Sequence, residues 1–386
     1  MTATLPTTTA PPIADRRLLT STFAILGIVM AVWGARMPAV QAAAHLGPGR
    51  LAVVLLAAAA GMVAGLQAGG RLAHRHGPSR LLVAPTVTFA AALALLGQCR
   101  TLPSLVITAV VFGAAHGVLD VAANSSAVNV QQAYGRPIMA SFHAAYSLGA
   151  LGGALLAAAT AWLPHQVLFA AVGAATALTA LAALPVVRSA THLDHSHDDA
   201  PTSDHRPART SRGHTWLLGG LAAACLLAEG AAADWASVHL RSLHSSEAVA
   251  AGAYALYSCA MALGRLFGDR LTARYSPTTL VRTGAVLAAV GLGTGLAIGS
   301  APAALAGWMG LGLGLSTAVP ALITAAGRGG ARTVGTVTTI GYLGLLTGPA
   351  AIGALAALTP LPTALALPAI LAATVAAAAR RALEPR

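Results

Sequence analysis

Long apolar stretches alternate with short polar breaks along the whole chain. Twelve such stretches occur, at about 18–40, 51–73, 79–98, 104–128, 137–161, 165–187, 215–239, 248–271, 278–299, 302–326, 333–357 and 361–380. A helix rises about 1.5 Å per residue and a hydrocarbon layer is about 30 Å thick, so each stretch predicts a membrane-spanning helix. The single long polar interval, RSATHLDHSHDDAPTSDHRPARTSRGH at 188–214, separates the first six stretches from the last six. The predicted plan is a tail over 1–17, a six-helix bundle over 18–187, a His/Asp-rich linker over 188–214, a second bundle over 215–380 and a tail over 381–386. The opening TATLPTTTAPP is polar and proline-rich, so it reads as a tail and not as a cleaved signal peptide.

Composition supports the membrane reading. Of 386 residues, 56% are hydrophobic and only 9% charged, too few to cover a water-facing surface. The formal charge of +12 comes from 23 basic residues, all arginine. Placing the N-terminus in the cytoplasm leaves only Arg50, Arg100, Arg241 and the end-of-helix Arg36 on the outer side. The other 19 (23 minus 4) then lie on the cytoplasmic side. That asymmetry assigns the charge to orientation in a plasma or inner membrane with both termini cytoplasmic, and nucleic acid is not an expected partner. Cys99, Cys225 and Cys259 lie in or beside apolar segments without paired spacing, so they read as small core residues.

The two halves echo each other. GGRLAHRHGP at 69–78 aligns with GDRLTARYSP at 268–277, each closing an even-numbered span before a short basic loop. Gly65 matches Gly264 at the same offset upstream, and SLGALGG of span five resembles YLGLLTG of span eleven. Duplicated six-span halves are the plan of transporters that rock around a central site. Gly61, Gly65 and Gly69, with Gly264 and Gly268, are spaced for close helix contact.

The loop after span two resembles the signature loop of the major facilitator superfamily, and the 6+6 plan matches that family over nearly the entire chain. VLDVAANSSAVNV, FHAAYSLGALGG, LLAEGAAADWASVHL and GYLGLLTGPAAIG are similar to a bacterial branch. That branch includes the rhizopine-locus membrane protein and, more distantly, fucose-type proton symporters. The resemblance implies an all-α membrane protein of twelve transmembrane helices in two pseudo-symmetric six-helix bundles. It also implies that Gly69, Gly70, Arg71 and Arg75, with Gly268, Asp269, Arg270 and Arg274, form conformational motif loops. The family's loop carries an acidic residue where this chain has His74 and, in the second copy, Ala273.

Three acids fall inside spans: Asp120, Glu229 and Asp234. Each costs roughly 2.5–3.5 kcal/mol to insert, so each is expected to face a cavity or a partner. His116, Asp120 and Asn124 stand four apart and form one stripe on span four. Asp120 is expected roughly 12 Å, and His143 of span five roughly 9 Å, from the cytoplasmic end. Tyr146 and Ser147 lie on the same face as His143, so Asp120 and His143 are expected to form a proton-responsive pair. Low dielectric favours a neutral carboxyl group and a neighbouring imidazolium favours the charged one, which allows a proton to be loaded and released. Bracing of helix packing is the competing reading for Asp120 and Asn124, and the preferred one for His116.

Glu229 and Asp234, about 140° apart on span seven, cannot face one partner. Glu229 is the second candidate for proton coupling. Asp234 lies near the outer end, and the family resemblance implies that spans one and seven face each other there, so Arg36 and Asp234 are a candidate outer-gate salt bridge formed when the site opens inward; Arg36 has substrate binding and headgroup contact as alternatives. Arg265 and Asp269, four apart, are expected to pair locally. Tyr257 and Tyr342 complete the expected cavity lining with His116, Asn124, Tyr146 and Ser147.

These features predict a secondary active transporter that moves a small polar solute, sugar- or cyclitol-like, by alternating access with proton coupling. A drug or natural-product exporter by proton antiport is the rival within transporters. A sensor or lipid-handling protein on the same fold is the rival outside them. The expected partners are the solute, protons and bilayer lipid, and the chain is expected to be monomeric. The sequence contains no catalytic constellation, and no cofactor or resident metal is expected. The linker histidines 192, 195, 197, 205 and 214 read as solvated, with metal binding the lesser alternative.

Overall fold

The structure is a computed structural model that describes residues 13–188 and 211–384. Positions 1–12, 385–386 and most of the linker, including His192, His195, His197 and His205, lie outside the described residues. Among the described residues twelve long helices follow one another: α1 (Ile13–Ala35), α2 (Pro48–His76), α3 (Val83–Gln98), α4 (Leu102–Tyr134), α5 (Met139–Ala159) and α6 (His165–Ala182). They continue as α7 (Arg212–Ser242), α8 (Glu247–Arg274), α9 (Pro277–Ile298), α10 (Ala301–Gly327), α11 (Ala331–Ala356) and α12 (Leu361–Leu383). Eleven of them are long and apolar enough to cross a membrane. The remaining one, α8, carries Arg265, Asp269, Arg270 and Arg274. Large apolar side chains stand exposed around the perimeter, among them Leu56, Ile107, Leu178 and Ile298, a surface that only lipid covers well.

Helix boundaries follow local chemistry. Thr101 and Ser104 form a reciprocal capping box that starts α4, and Gly135 in the left-handed conformation ends it. The expected span 18–40 is broken at Arg36, and a short helix, Met37–Ala43, resumes with Pro38 in its first turn. A proline has no N–H for the preceding turn and its ring crowds it, so α1 stops there. Pro320 and Pro368 act the same way: α10 pauses at Ser316–Thr317 and α12 at Leu365. The tail expected over 1–17 is helical from Ile13 onward, and Arg212 to His214 belong to α7.

The packing repeats between the halves. In the first, α1 lies on α5, α2 on α4 and α3 on α6; in the second, α7 lies on α11, α8 on α10 and α9 on α12. His45 and His244 give a second sign of duplication, both with positive φ at the turn after the first span of their half. In each turn the following N–H closes a bond to a carbonyl five residues back: Leu46 to Gln41 and Ser245 to Leu240. Lipid tails supply no hydrophobic drive between helices, so the bundles rest on backbone approach at small residues. A Cβ on Gly61 or Gly65 would strike the Val110 or Ala114 carbonyl oxygen of α4, and one on Gly113 would strike that of Ala58 on α2.

Candidate functional site at the interface of the two bundles

The start of α1 lies by the end of α4, where Arg16 donates to Tyr134, and the end of α12 lies by the end of α10, where Arg328 donates to the Leu383 carbonyl; this end of the bundles is here called the terminal end. The halves meet there along two seams. On one, α2 meets α11: Gly70 packs against Ala331 and Gly335, and Gln67 Nε2 donates to Thr339 Oγ1 at 2.8 Å. On the other, α5 meets α8: Gly268 packs against Ala140, and both Asp269 carboxylate oxygens lie 3.2 Å from the Ser141 N–H. Gln131 Oε1 of α4 accepts from the Ile138 and Met139 N–H groups. The first turn of α5, which has no cap of its own, is therefore capped by α4 from its own half and by α8 from the other. The two copies of the sequence motif thus occupy equivalent seams, although Arg71, Arg75, Arg270 and Arg274 are exposed and Arg274 lies over the Tyr275 ring.

Further from that end, two polar clusters bridge the halves. In the first, Tyr342 Oη of α11 donates to Asp120 Oδ1 of α4 at 3.3 Å, while Asp120 Oδ2, in a residue only 8% exposed, has no partner. Asn124 Nδ2 donates to the Asp120 carbonyl at 2.9 Å, so it braces its own helix. His116 is buried, stacked on Phe89 with its edge toward Tyr342. In the second, Arg265 of α8, 6% exposed, donates to Ser147 Oγ of α5 at 2.7 Å and lies 3.7 Å from Glu229 Oε2 of α7. The guanidinium therefore joins one half to the other while paired with a carboxylate of its own half.

Several expectations are corrected. Asp120 and His143 are not paired: α4 continues to Tyr134 and α5 begins at Met139, so Asp120 lies roughly 21 Å and His143 roughly 6 Å from the ends of their helices. His143 instead packs its ring against Phe23, 5.4 Å between centroids. Arg265 does not pair with Asp269; the two follow different partners, Glu229 and the first turn of α5. The Arg36–Asp234 gate is not one of these corrections: its bridge is expected when the site opens inward, and in this structure, with the halves in contact at the terminal end, the two residues form no salt bridge. The helix break turns Arg36 onto the carbonyls of Thr160, Ala161 and Leu163, where its charge meets the C-terminal end of α5, and Asp234 is exposed. Tyr257 is 2% exposed, stacked under Tyr254, so its ring lies within the wall. Trp235 Nε1 donates to the Pro349 carbonyl in α11.

In the sequence Arg265 reads only as a local partner of Asp269, and Tyr254 is not singled out. An arginine inside a span carries an insertion cost like that of an acid, and that cost is the signal that finds it. Among the described residues, side-chain hydrogen bonds between the halves run only from the terminal end to the level of Tyr342 and Arg265.

Residues 18–340 match the sequence model of the Major Facilitator Superfamily. The chain is 34% identical to an uncharacterised MFS-type transporter of Yersinia pestis, over 93% of each sequence. It is 30% identical to the membrane protein MosC of Rhizobium meliloti, over 86% of this chain and 82% of that one. Among solved structures it resembles FucP, described as the E. coli fucose:proton symporter, in its outward conformation. That likeness has a TM-score of 0.70 at 16% identity and covers 97% of this chain and 100% of the other.

Proposed function

The chain belongs to the Major Facilitator Superfamily of membrane transporters, and on that premise we propose that it moves a small, hydroxyl-rich polar solute by alternating access, coupled to protons. The supporting observation is the placement of two buried polar clusters, Asp120–Tyr342 and Arg265–Ser147–Glu229, across the one surface along which the halves can move. Contact between the halves at the terminal end corresponds to closure on the cytoplasmic side, given the cytoplasmic termini that the arginine distribution supports. The likeness to FucP in its outward conformation supports the same assignment.

In this reading Asp120 and Glu229 are the groups that exchange a proton. Asp120 has one oxygen held by Tyr342 and one without a partner, so it is placed to take up a proton or a solute hydroxyl. Glu229 is held near Arg265, and a solute hydroxyl or proton that reaches it competes with that ion pair. Loosening either cluster removes an interaction made only while the halves are closed at the terminal end. Occupancy is thereby coupled to rocking.

The test is purified protein in liposomes under a pH gradient, with an internal dye following protons as polyols and drugs are added. Solute-dependent proton flux that is lost in Asp120→Asn supports the reading with Asp120 in the relay. Flux retained in Asp120→Asn and lost in Glu229→Gln moves the relay to Glu229. Flux evoked by drugs and not by polyols favours the exporter. Solute binding without flux by folded wild type favours the sensor.

A further inference from the structure

A groove of about 350 Å³ lies at the terminal end within the first half, walled by three helices. Leu18 and Ile25 of α1, Leu82 and Val83 where α3 begins, and Ala183 and Val187 just after α6 form its apolar walls. Its lining follows α1 from Ala14 to Ile25, roughly 16 Å at 1.5 Å per residue. The groove therefore starts at the edge of the apolar stretch and runs well into it. Leu178 and Leu181 of α6 stand exposed beside it, which puts it on the lipid-facing side of the bundle.

Two independent observations point to what fills it. In the second half the equivalent place is closed by protein: α12 packs along α7, whereas α6 of the first half makes little contact with α1. The groove occupies the space left between them, and a gap forfeits the dispersion contacts of its walls, so an apolar chain gains more there than on a flat helix face. The mouth of the groove, by contrast, is polar and positive. Arg17 and Ser21, one turn apart on α1, are exposed and line it. Among the described residues neither has a hydrogen-bond or ion-pair partner, and no carboxylate lines the groove. Their neighbours are engaged: Arg16 donates to Tyr134, and Thr20 and Thr22 return their hydroxyls to carbonyls one turn back. An apolar slot that ends in an unbalanced guanidinium and a free hydroxyl matches a phospholipid of net negative charge, its chain in the slot and its phosphodiester oxygens accepting from Arg17 and Ser21.

We infer that the groove between α1, α3 and α6 binds one acyl chain of an anionic phospholipid whose headgroup is held by Arg17 and Ser21. The lipid stands in for the contact that α12 makes with α7 in the other half. Neither statement rests on the transport reading.

The experiment is photolabelling of the full chain in phosphatidylcholine nanodiscs. The probe is phosphatidylglycerol with a diazirine on one acyl chain, at a sub-saturating fraction, and phosphatidylcholine carrying the same chain is the control. Labelled peptides are mapped by mass spectrometry. The phosphatidylglycerol probe is expected to label residues 18–25 and 82–86 about fivefold more than the control does, the factor that one basic residue contributes toward an anionic lipid. Arg17→Gln is expected to remove that preference. Ala183→Leu, which fills the groove, is expected to lower labelling of these walls by both probes. Equal labelling by the two probes in wild type overturns the inference, as does a preference that persists unchanged in Arg17→Gln. Labelling spread evenly over the lipid-facing helices, α9 and α12 included, overturns it as well. Should Arg17→Gln not purify folded, Ala183→Leu decides: reduced wall labelling supports the site and unchanged labelling overturns it.

Discussion

The bond from Asp269 to the first turn of α5 joins the two bundles and exists only while their terminal ends are together, so replacing Asp269 should change the balance between the two states. Both carboxylate oxygens lie 3.2 Å from the Ser141 N–H, at the third residue of a helix without a cap of its own. Losing a helix cap costs about 1 kcal/mol, within a range of about 0.5–2. A carboxylate at a helix N-terminus adds about 0.3–1 kcal/mol, and up to about 2 where partly buried. Asp269 is half-buried, so Asp269→Ala should remove about 1.5–2 kcal/mol from the closed state alone. At about 1.4 kcal/mol per factor of ten, the ratio of open to closed at this end rises about 10- to 30-fold. Asp269→Asn keeps an acceptor and loses the charge, so it should shift the ratio by roughly half as much on a logarithmic scale. The measurement is pulsed electron spin resonance between labels at Ala133→Cys and Ala273→Cys, exposed positions at the ends of α4 and α8, with Cys99, Cys225 and Cys259 replaced. A growing long-distance population is expected. A distance distribution identical to wild type in folded Asp269→Ala would refute the argument, because the bond would then carry no weight between the bundles.

Other outcomes follow from the same contacts. A double-mutant cycle of Arg265→Gln and Glu229→Gln, read by reversible unfolding in micelles, should give a coupling of about 1–3 kcal/mol; Coulomb's law at 3.7 Å brackets it between about 1 at the dielectric of water and about 4.5 at an effective value of 20, and Glu229 is partly exposed. A coupling near zero would remove the ion pair from the account. Gly113→Val places its Cβ on the Ala58 carbonyl and should lower stability by more than about 3 kcal/mol or prevent folding, seen as loss of the monodisperse peak. Gly152→Ala, with open space at its Cβ, should instead be neutral or stabilise by up to about 1 kcal/mol. Arg36→Gln removes a charge from the carbonyl end of α5 and should lower the melting temperature by the equivalent of about 1–2 kcal/mol, while leaving the label distances at the terminal end unchanged.

Much of the architecture was legible in the chain because a bilayer imposes a single rule. Every backbone group must be satisfied within its own segment, so an apolar run of sufficient length becomes a helix whatever its neighbours do. That rule located the long helices, and the repeated GGRLAHRHGP and GDRLTARYSP motifs identified two equivalent places that prove to be the two seams. Helix ends were less legible. α4 runs six residues past its expected end, since polar residues such as Asn129, Gln131 and Gln132 continue a helix that has left the apolar layer. The displacement of Asp120 from His143 follows directly from that extension.

What the sequence by itself determined is therefore the set of helices, the duplication of six, and the presence of charges too costly to be incidental. What only the tertiary structure decided is the partner of each charge. Asp120 went to Tyr342, more than two hundred residues away, Arg265 to Glu229 and Ser147, and Asp269 to the start of α5. The physical reason is one of range. Helix formation is settled by hydrogen bonds four residues apart and by transfer of a segment into lipid, both written locally. The partner of a buried charge depends on which helix faces are brought within a few ångströms, and that is set by glycine contacts between segments distant in sequence.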